Sequence, residues 1–333
     1  AMLAAQPAAP QQAQPQQAPG NSCIAMIDTQ HEDMIHDAQF DYYGKRLATC
    51  SSDRVIKIFE VSESGQQTLS AQLTGHEGPV WQVAWAHPKF GNLLGTCGYD
   101  KRVCVWKETQ PGQWTLVYQY LGHEASVNSI SFCPHELGLG LACGASDGSI
   151  SVLTWKGTAD NDWNENRFGS LLGAHQIGVT SVSWGPAIVP GSAVAPGAQA
   201  NQLQRSFVSG GCDCRVKVWT MNEHGQWDAE ALAVEGVKHT DWVRDVAWAP
   251  SVGTGCSLIA SASADKTVII WTLDGQNRSA KVLPKFENTV WRVSWSFTAS
   301  LLSVASGDSK VTLWKQGLDG EWGCIDTVVD HQA

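Results

Sequence analysis

Six times along the chain an Asp is followed six residues later by an aromatic or large apolar residue: Asp53 to Phe59, Asp100 to Trp106, Asp147 to Leu153, Asp213 to Trp219, Asp265 to Trp271 and Asp308 to Trp314. Successive Asp residues stand 47, 47, 66, 52 and 43 positions apart. A recurrence on that scale marks a repeat whose units each bury a face against the next. Within each unit the order is constant. A His, or Glu287 in the sixth, precedes an alternating run such as Pro79 to Trp85; a small-residue run such as Leu258 to Ser263 comes next, then the Asp turn, then a run such as Val268 to Trp271. Period-two alternation with β-branched residues between turn signals reads as strands. No segment of ten or more residues carries a helical period, so the expected fold class is all-β.

Units of this length ending in Asp-x5-Trp resemble the WD-repeat family, whose members are β-propellers. The resemblance runs from Asn21 to Val329 and implies a buried hydrogen-bonded tetrad in each blade: a His, a second-strand Ser or Thr, the turn Asp and a third-strand Trp. Blade two carries it in full as His76, Thr96, Asp100 and Trp106; blade four as His175, Ser209, Asp213 and Trp219; blade five as His239, Ser261, Asp265 and Trp271. Blade three has Cys143 and Leu153 in the Ser and Trp places, and blade six has Glu287 and Val304 in the His and Ser places. A half-satisfied buried network is worse than none, so these networks are expected to relax as units. The Ser, His and Asp groups recur at fixed offsets in three blades, whereas a catalytic triad need occur only once. With no P-loop, dinucleotide fingerprint, zinc-protease helix or nucleophile elbow, an enzyme is not expected.

Composition sharpens this reading. The 333 residues hold 22 Lys plus Arg against 32 Asp plus Glu, a net charge of −10, which argues against direct nucleic-acid binding. The 16 Trp outnumber the 8 Phe and 5 Tyr, and so bulky a residue used so often implies repeated structural positions. The 10 Cys include no C-x-x-C pair, so no structural zinc and no cofactor is expected, and they read as free, mostly buried thiols. Residues 1–20, nearly all Ala, Gln and Pro, read as a disordered tail and fit neither a signal peptide nor a presequence. Residues 330–333 read as a second tail. The Pro-, Gly-, Ala- and Gln-rich stretch 186–205 reads as a surface insertion in blade four. The expected domain is a single propeller over 21–329, and no apolar run is long enough to span a bilayer.

Outer strands come after the Trp strands at Gly112-Gln113-Trp114, Gly225-Gln226-Trp227 and Gly320-Glu321-Trp322, so blade six owns its outer strand. Cys23 to Ile27 also reads as an outer strand, making six inner triplets and seven outer strands. Either that strand adds to blade six, or the ring is open and a partner supplies the missing inner strands; the count favours the second.

A closer resemblance lies in HEDMIHDAQFDYYGKRLATCSSDRVIKIF (31–59), GHEGPVWQVAWAHPKFGNLL (75–94), HTDWVRDVAWAPS (239–251) and GDSKVTLWK (307–315), which look like the Sec-thirteen family. The resemblance implies an open six-bladed propeller whose seventh blade a helical-solenoid partner donates. The implied partners are the large COPII outer-coat subunit or a Y-complex nucleoporin of the nuclear pore, with the SEA/GATOR nutrient-signalling assembly as a further setting. The implied locations are the cytoplasmic face of the ER and its vesicles and the nuclear envelope, with membrane contact only through the coat. The vacancy is expected to be bordered by Ile24, Met26, Ile35 and Phe40 on one side and by Val290, Val293 and Trp295 on the other. For Val293 and Trp295 an ordinary place in the core fits as well as docking. The alternatives are the paralogous Seh-one type of nucleoporin and a self-closed WD adaptor that binds peptides on its top face.

Overall fold

The structure is a computed structural model that describes residues 27–168, 174–187, 203–250, 256–275 and 277–329. Six four-stranded antiparallel sheets succeed one another, each a meander whose strand order in space is its order in the chain. Numbered as blades one to six, they have as innermost strands Ile35–Phe40, Val80–Trp85, Val127–Phe132, Val179–Trp184, Val243–Trp248 and Val290–Trp295. Helical structure among the described residues amounts to two single 3-10 turns, Pro88–Phe90 and His135–Leu137. The chain is an all-β, six-bladed propeller.

The repeated Asp has a local reason in each turn between second and third strands. The residue after it takes a left-handed backbone: Arg54, Lys101, Gly148, Cys214, Lys266 and Ser309, with φ between 60° and 78°. Five of these six are not glycine, and such a conformation is disfavoured for a residue with a Cβ. The Asp carboxylate offsets that cost by accepting the N–H two residues on, from Val55 to Asp53 at 2.9 Å and from Thr267 to Asp265 at 2.9 Å.

Each blade packs its core onto the next. Ala48, Cys50, Ile56 and Ile58 of blade one meet Val80, Val83, Leu94 and Trp106 of blade two, and Ala260, Ala262, Val268 and Ile270 of blade five meet Val290, Val293, Leu302 and Val304 of blade six. The His-Asp face of every blade therefore looks back at the preceding blade. Neighbouring inner strands pack from blade one through to blade six, and no comparable packing joins blade six to blade one among the described residues. An axial channel of about 1740 Å³ is lined by inner-strand residues of all six blades.

The outer strands expected after blades two, four and six are Gln113–Tyr120, Trp227–Ala231 and Trp322–Val329. Residues 1–20, most of 186–205, residues 330–333, and Ile24 and Met26 lie outside the described residues. Of the strand expected at Cys23 to Ile27 only Ile27 is described, and it is not in a strand.

Candidate functional site: the seam between blades six and one

The structure brings the three tetrads together. In blade two, His76 Nδ1 lies 2.9 Å from Asp100, His76 Nε2 2.8 Å from Thr96 Oγ1, and the Trp106 indole donates to that hydroxyl at 3.0 Å. In blade four, His175 lies 2.7 Å from Asp213 and 2.8 Å from Ser209, which accepts from Trp219 at 2.8 Å. In blade five, His239 lies 3.1 Å from Asp265 and 2.8 Å from Ser261, which accepts from Trp271 at 2.9 Å. Desolvation pulls the His76 pKa down, but hydrogen bonding to Asp100 and the Cys104 contact outweigh it and lift it to about 9. Burial raises the Asp100 carboxyl, and its bond with His76 more than reverses that, holding it below the usual carboxylate range. These sites are enclosed inside the blades, which suits a structural role.

Blade one carries a further triad beyond the three expected tetrads. His31 lies 2.7 Å from Asp53 and 2.9 Å from Thr49, with Phe59 in the Trp place. The His, Thr and Asp of the repeat are all legible at 31, 49 and 53. The expectation that altered networks relax as units fails in blade three. Its buried His123 remains, bonded to Ser149 at 3.0 Å through Nδ1, while Nε2 has no protein partner now that Cys143 and Leu153 replace the hydroxyl and the indole. In blade six the Trp314 indole turns to Thr312 on its own strand at 2.9 Å.

The seam is defined by residues that are buried in every blade but one. Ile35 opens the inner strand of blade one just before a register shift, the place held by Val80, Val127, Val179, Val243 and Val290. Those five valines are 0% exposed, whereas Ile35 is 43% exposed. Ala38 is exposed where Val83, Ile130, Val182, Val246 and Val293 are buried. Phe40, 53% exposed, occupies the place of Trp85 and Trp295. Those indoles donate to the preceding blade, Trp85 to the Gln39 carbonyl at 3.0 Å and Trp295 to the Ala247 carbonyl at 3.1 Å. Phe40 has no such donor. Deeper on this face Thr49 and Lys57 stay buried, with Lys57 Nζ donating to the carbonyls of Thr29 at 3.1 Å and Gln30 at 2.6 Å.

The opposite wall belongs to the far face of blade six. In blade five the pairs Ala260 with Ile270 and Ala262 with Val268 are covered by blade six and at most 2% exposed. Their counterparts in blade six, Ser303 with Leu313 and Ala305 with Val311, have no further blade over them among the described residues; Val311 is 37% exposed and the others half-buried. This corrects the expected border. Val290 and Val293 are buried against blade five, and Trp295 packs there with an edge contact to Trp322 at 5.7 Å. They are the blade-six equivalents of Ile35, Ala38 and Phe40, and that face looks backwards in every blade.

A polar relay also links the inner strands around the axis. In each step a side chain of one blade accepts the N–H of the next. Val83 donates to Asp37 at 3.3 Å, Ile130 to Gln82 at 2.8 Å, Val182 to Ser129 at 3.1 Å, Val246 to Ser181 at 3.2 Å and Val293 to Asp245 at 2.9 Å. The sixth place in the relay is held by Arg292.

Comparison with known proteins fits this geometry. The family described as WD domain, G-beta repeat, matches residues 21–60, 67–107, 114–153, 235–272 and 278–315. Protein SEC13 homolog of Homo sapiens is 56% identical over 316 residues, covering 94% of this chain and 95% of the relative. Protein SEC13 homolog of Drosophila melanogaster is 48% identical over 304 residues, covering 90% and 83%. Protein transport protein SEC13 of Mycosarcoma maydis is 44% identical over 347 residues, covering 90% and 93%. The chain belongs to the Sec13 family of WD-repeat proteins. Sec13 proteins are WD-repeat scaffolds, so this chain is a structural protein and not an enzyme. The repeat matches leave out blade four, whose four strands and tetrad are nonetheless complete.

Proposed function

We propose that this chain is a scaffold of vesicle-mediated protein transport, a component of the COPII outer coat between ER and Golgi, held in place by a partner that donates a seventh blade. The carrying observation is the contrast between exposed Ile35 and its five fully buried equivalents, matched across the gap by Val311 against buried Val268. A donated blade supplies main-chain pairing and alternating side-chain pockets at once, the physics of strand addition. The transport role draws on the relatives, one of which is named a protein transport protein. The helical-solenoid coat subunit as donor, the cytoplasmic face of the ER as location, and membrane contact through the coat alone draw on the family resemblance. The same seam serves a Y-complex nucleoporin at the nuclear envelope, or a SEA/GATOR subunit, if either presents a blade of the same shape. Among the described residues no helix is long and apolar enough to cross a membrane.

The reading is tested by purifying the tagged chain from its own cells with its partners. The wild type is expected to bring down a large helical-solenoid protein in equal amount. Ile35→Asp and Leu313→Asp, on opposite walls, should each lose it while keeping the wild-type circular dichroism spectrum. Retention of that protein by both variants would place its binding site elsewhere.

A further inference from the structure

The relay around the axis has two loose ends, and both lie at the seam. At one end the Ala38 N–H of blade one occupies the place from which Val83, Ile130, Val182, Val246 and Val293 donate to the preceding blade. The acceptor beside it is the Asp37 carboxyl of its own strand. Val246 shows that such a neighbour does not replace the relay, since it donates to Asp245 of its own strand at 3.0 Å and to Ser181 of blade four at 3.2 Å. At the other end stands Arg292, which carries only donors and so cannot accept from a further strand.

Resting on the donated-blade reading, we infer that the partner's innermost strand carries an uncharged hydrogen-bond acceptor, Ser, Thr, Asn or Gln, at the relay position. It accepts from Ala38 N–H and faces the Arg292 guanidinium. The demand for an acceptor comes from both ends at once, and it excludes Lys, Arg and apolar side chains. The demand for neutrality comes from what already surrounds the axis. Arg292 interacts electrostatically with Asp245 on blade five and Asp37 on blade one. Asp245 is buried and Asp37 half-buried on the channel wall, and desolvation drives both pKa values upward against the pull of that one cation. A third carboxylate there would set three negative charges against the single Arg292 cation. Gln82, Ser129 and Ser181 show that neutral side chains perform the relay step within this chain.

The probe is the complex purified through this chain with Phe40→p-benzoylphenylalanine. Photolysis and peptide mass spectrometry identify the strand lying on the wall of blade one. A Ser, Thr, Asn or Gln is expected in that strand at the position facing Ala38. Changing it to Val should weaken binding about three- to tenfold, the span of one hydrogen bond, and exchange among the four acceptors should restore most of the affinity. A carboxylate, cation or apolar residue at that position, or an unchanged Kd on the change to Val, overturns the inference and leaves blade donation standing. Crosslinks confined to a helix or to the mouth of the channel overturn blade donation, and the inference with it.

Discussion

At the scale of single residues, each tetrad places one hydroxyl between an imidazole Nε2 and an indole N–H, neither of which has another hydrogen-bond partner among the described residues. Ser261 Oγ serves both the His239 imidazole and the Trp271 indole, and it is fully buried. Ser261→Ala should therefore cost about 2–4 kcal/mol, since it leaves two buried polar groups unpaired. Ser261→Thr should stay within about 1 kcal/mol of wild type, because Thr96 performs the same task in blade two. Urea unfolding of both variants measures the difference, and equal losses would show that size rather than the hydroxyl matters. His76 gives a pH dependence with a definite sign. Its folded pKa of about 9 lies above the unfolded 6.5, so its contribution is complete below pH 6.5 and is lost as pH rises through 9. That loss should amount to about 1–3 kcal/mol between pH 6.5 and 9.5. Comparison of wild type with His76→Asn across that window checks it. The depressed Asp100 acts in the opposite window, its contribution present above 3.8 and lost as pH falls through the folded value.

At the scale of strands and blades, the same side-chain pattern has opposite consequences depending on whether another blade covers it. Val268 and Val311 hold equivalent places on third strands, one 0% exposed under blade six and the other 37% exposed at the seam. Val268→Asp should destabilise the isolated chain by at least about 4 kcal/mol through an unpaired buried charge. Val311→Asp should change it by less than about 0.5 kcal/mol, as surface substitutions do. Thermal denaturation of the two variants side by side decides this, and comparable losses would mean that the far face of blade six is covered within the chain itself. Strand pattern, Asp turns, tetrad members and the outer strands of blades two, four and six were legible in the sequence because each is local: alternation, a turn residue, a fixed offset. The borders of the seam were legible only in part. Ile35 and Phe40 lie on it, whereas Val290, Val293 and Trp295 look like them in sequence because they are their equivalents. Which neighbour a face meets is set by the direction in which blades succeed one another around the axis, and no single repeat encodes that direction. Ser303, Ala305, Val311 and Leu313 were hidden for the same reason, since nothing local separates them from Ala260, Ala262, Val268 and Ile270.

At the scale of the whole molecule, an open ring distributes stability unevenly. Blades two to five are each covered on both faces, whereas among the described residues blade one has no neighbouring blade on its His-Asp face and blade six none on its far face. In a structure built from repeats, stability is close to a sum of unit and nearest-neighbour terms, so the end blades carry one interface term fewer. Amide exchange in the isolated chain should therefore be fastest in the inner strands at Ile35–Phe40 and Val290–Trp295 and slowest in Val127–Phe132 and Val179–Trp184. A partner that fills the seam restores both missing terms, and at a thousandfold excess over its Kd it should stabilise the chain by about 4 kcal/mol. The added protection should fall on blades one and six, reaching the middle blades only where exchange proceeds through global unfolding. Hydrogen exchange read by mass spectrometry on the free chain and on the complex resolves the two patterns. Protection spread evenly over all six blades in the free chain would show a ring closed by the chain itself. Protection gained on binding at the channel mouth, with blades one and six unchanged, would move the partner from the seam to the face of the propeller.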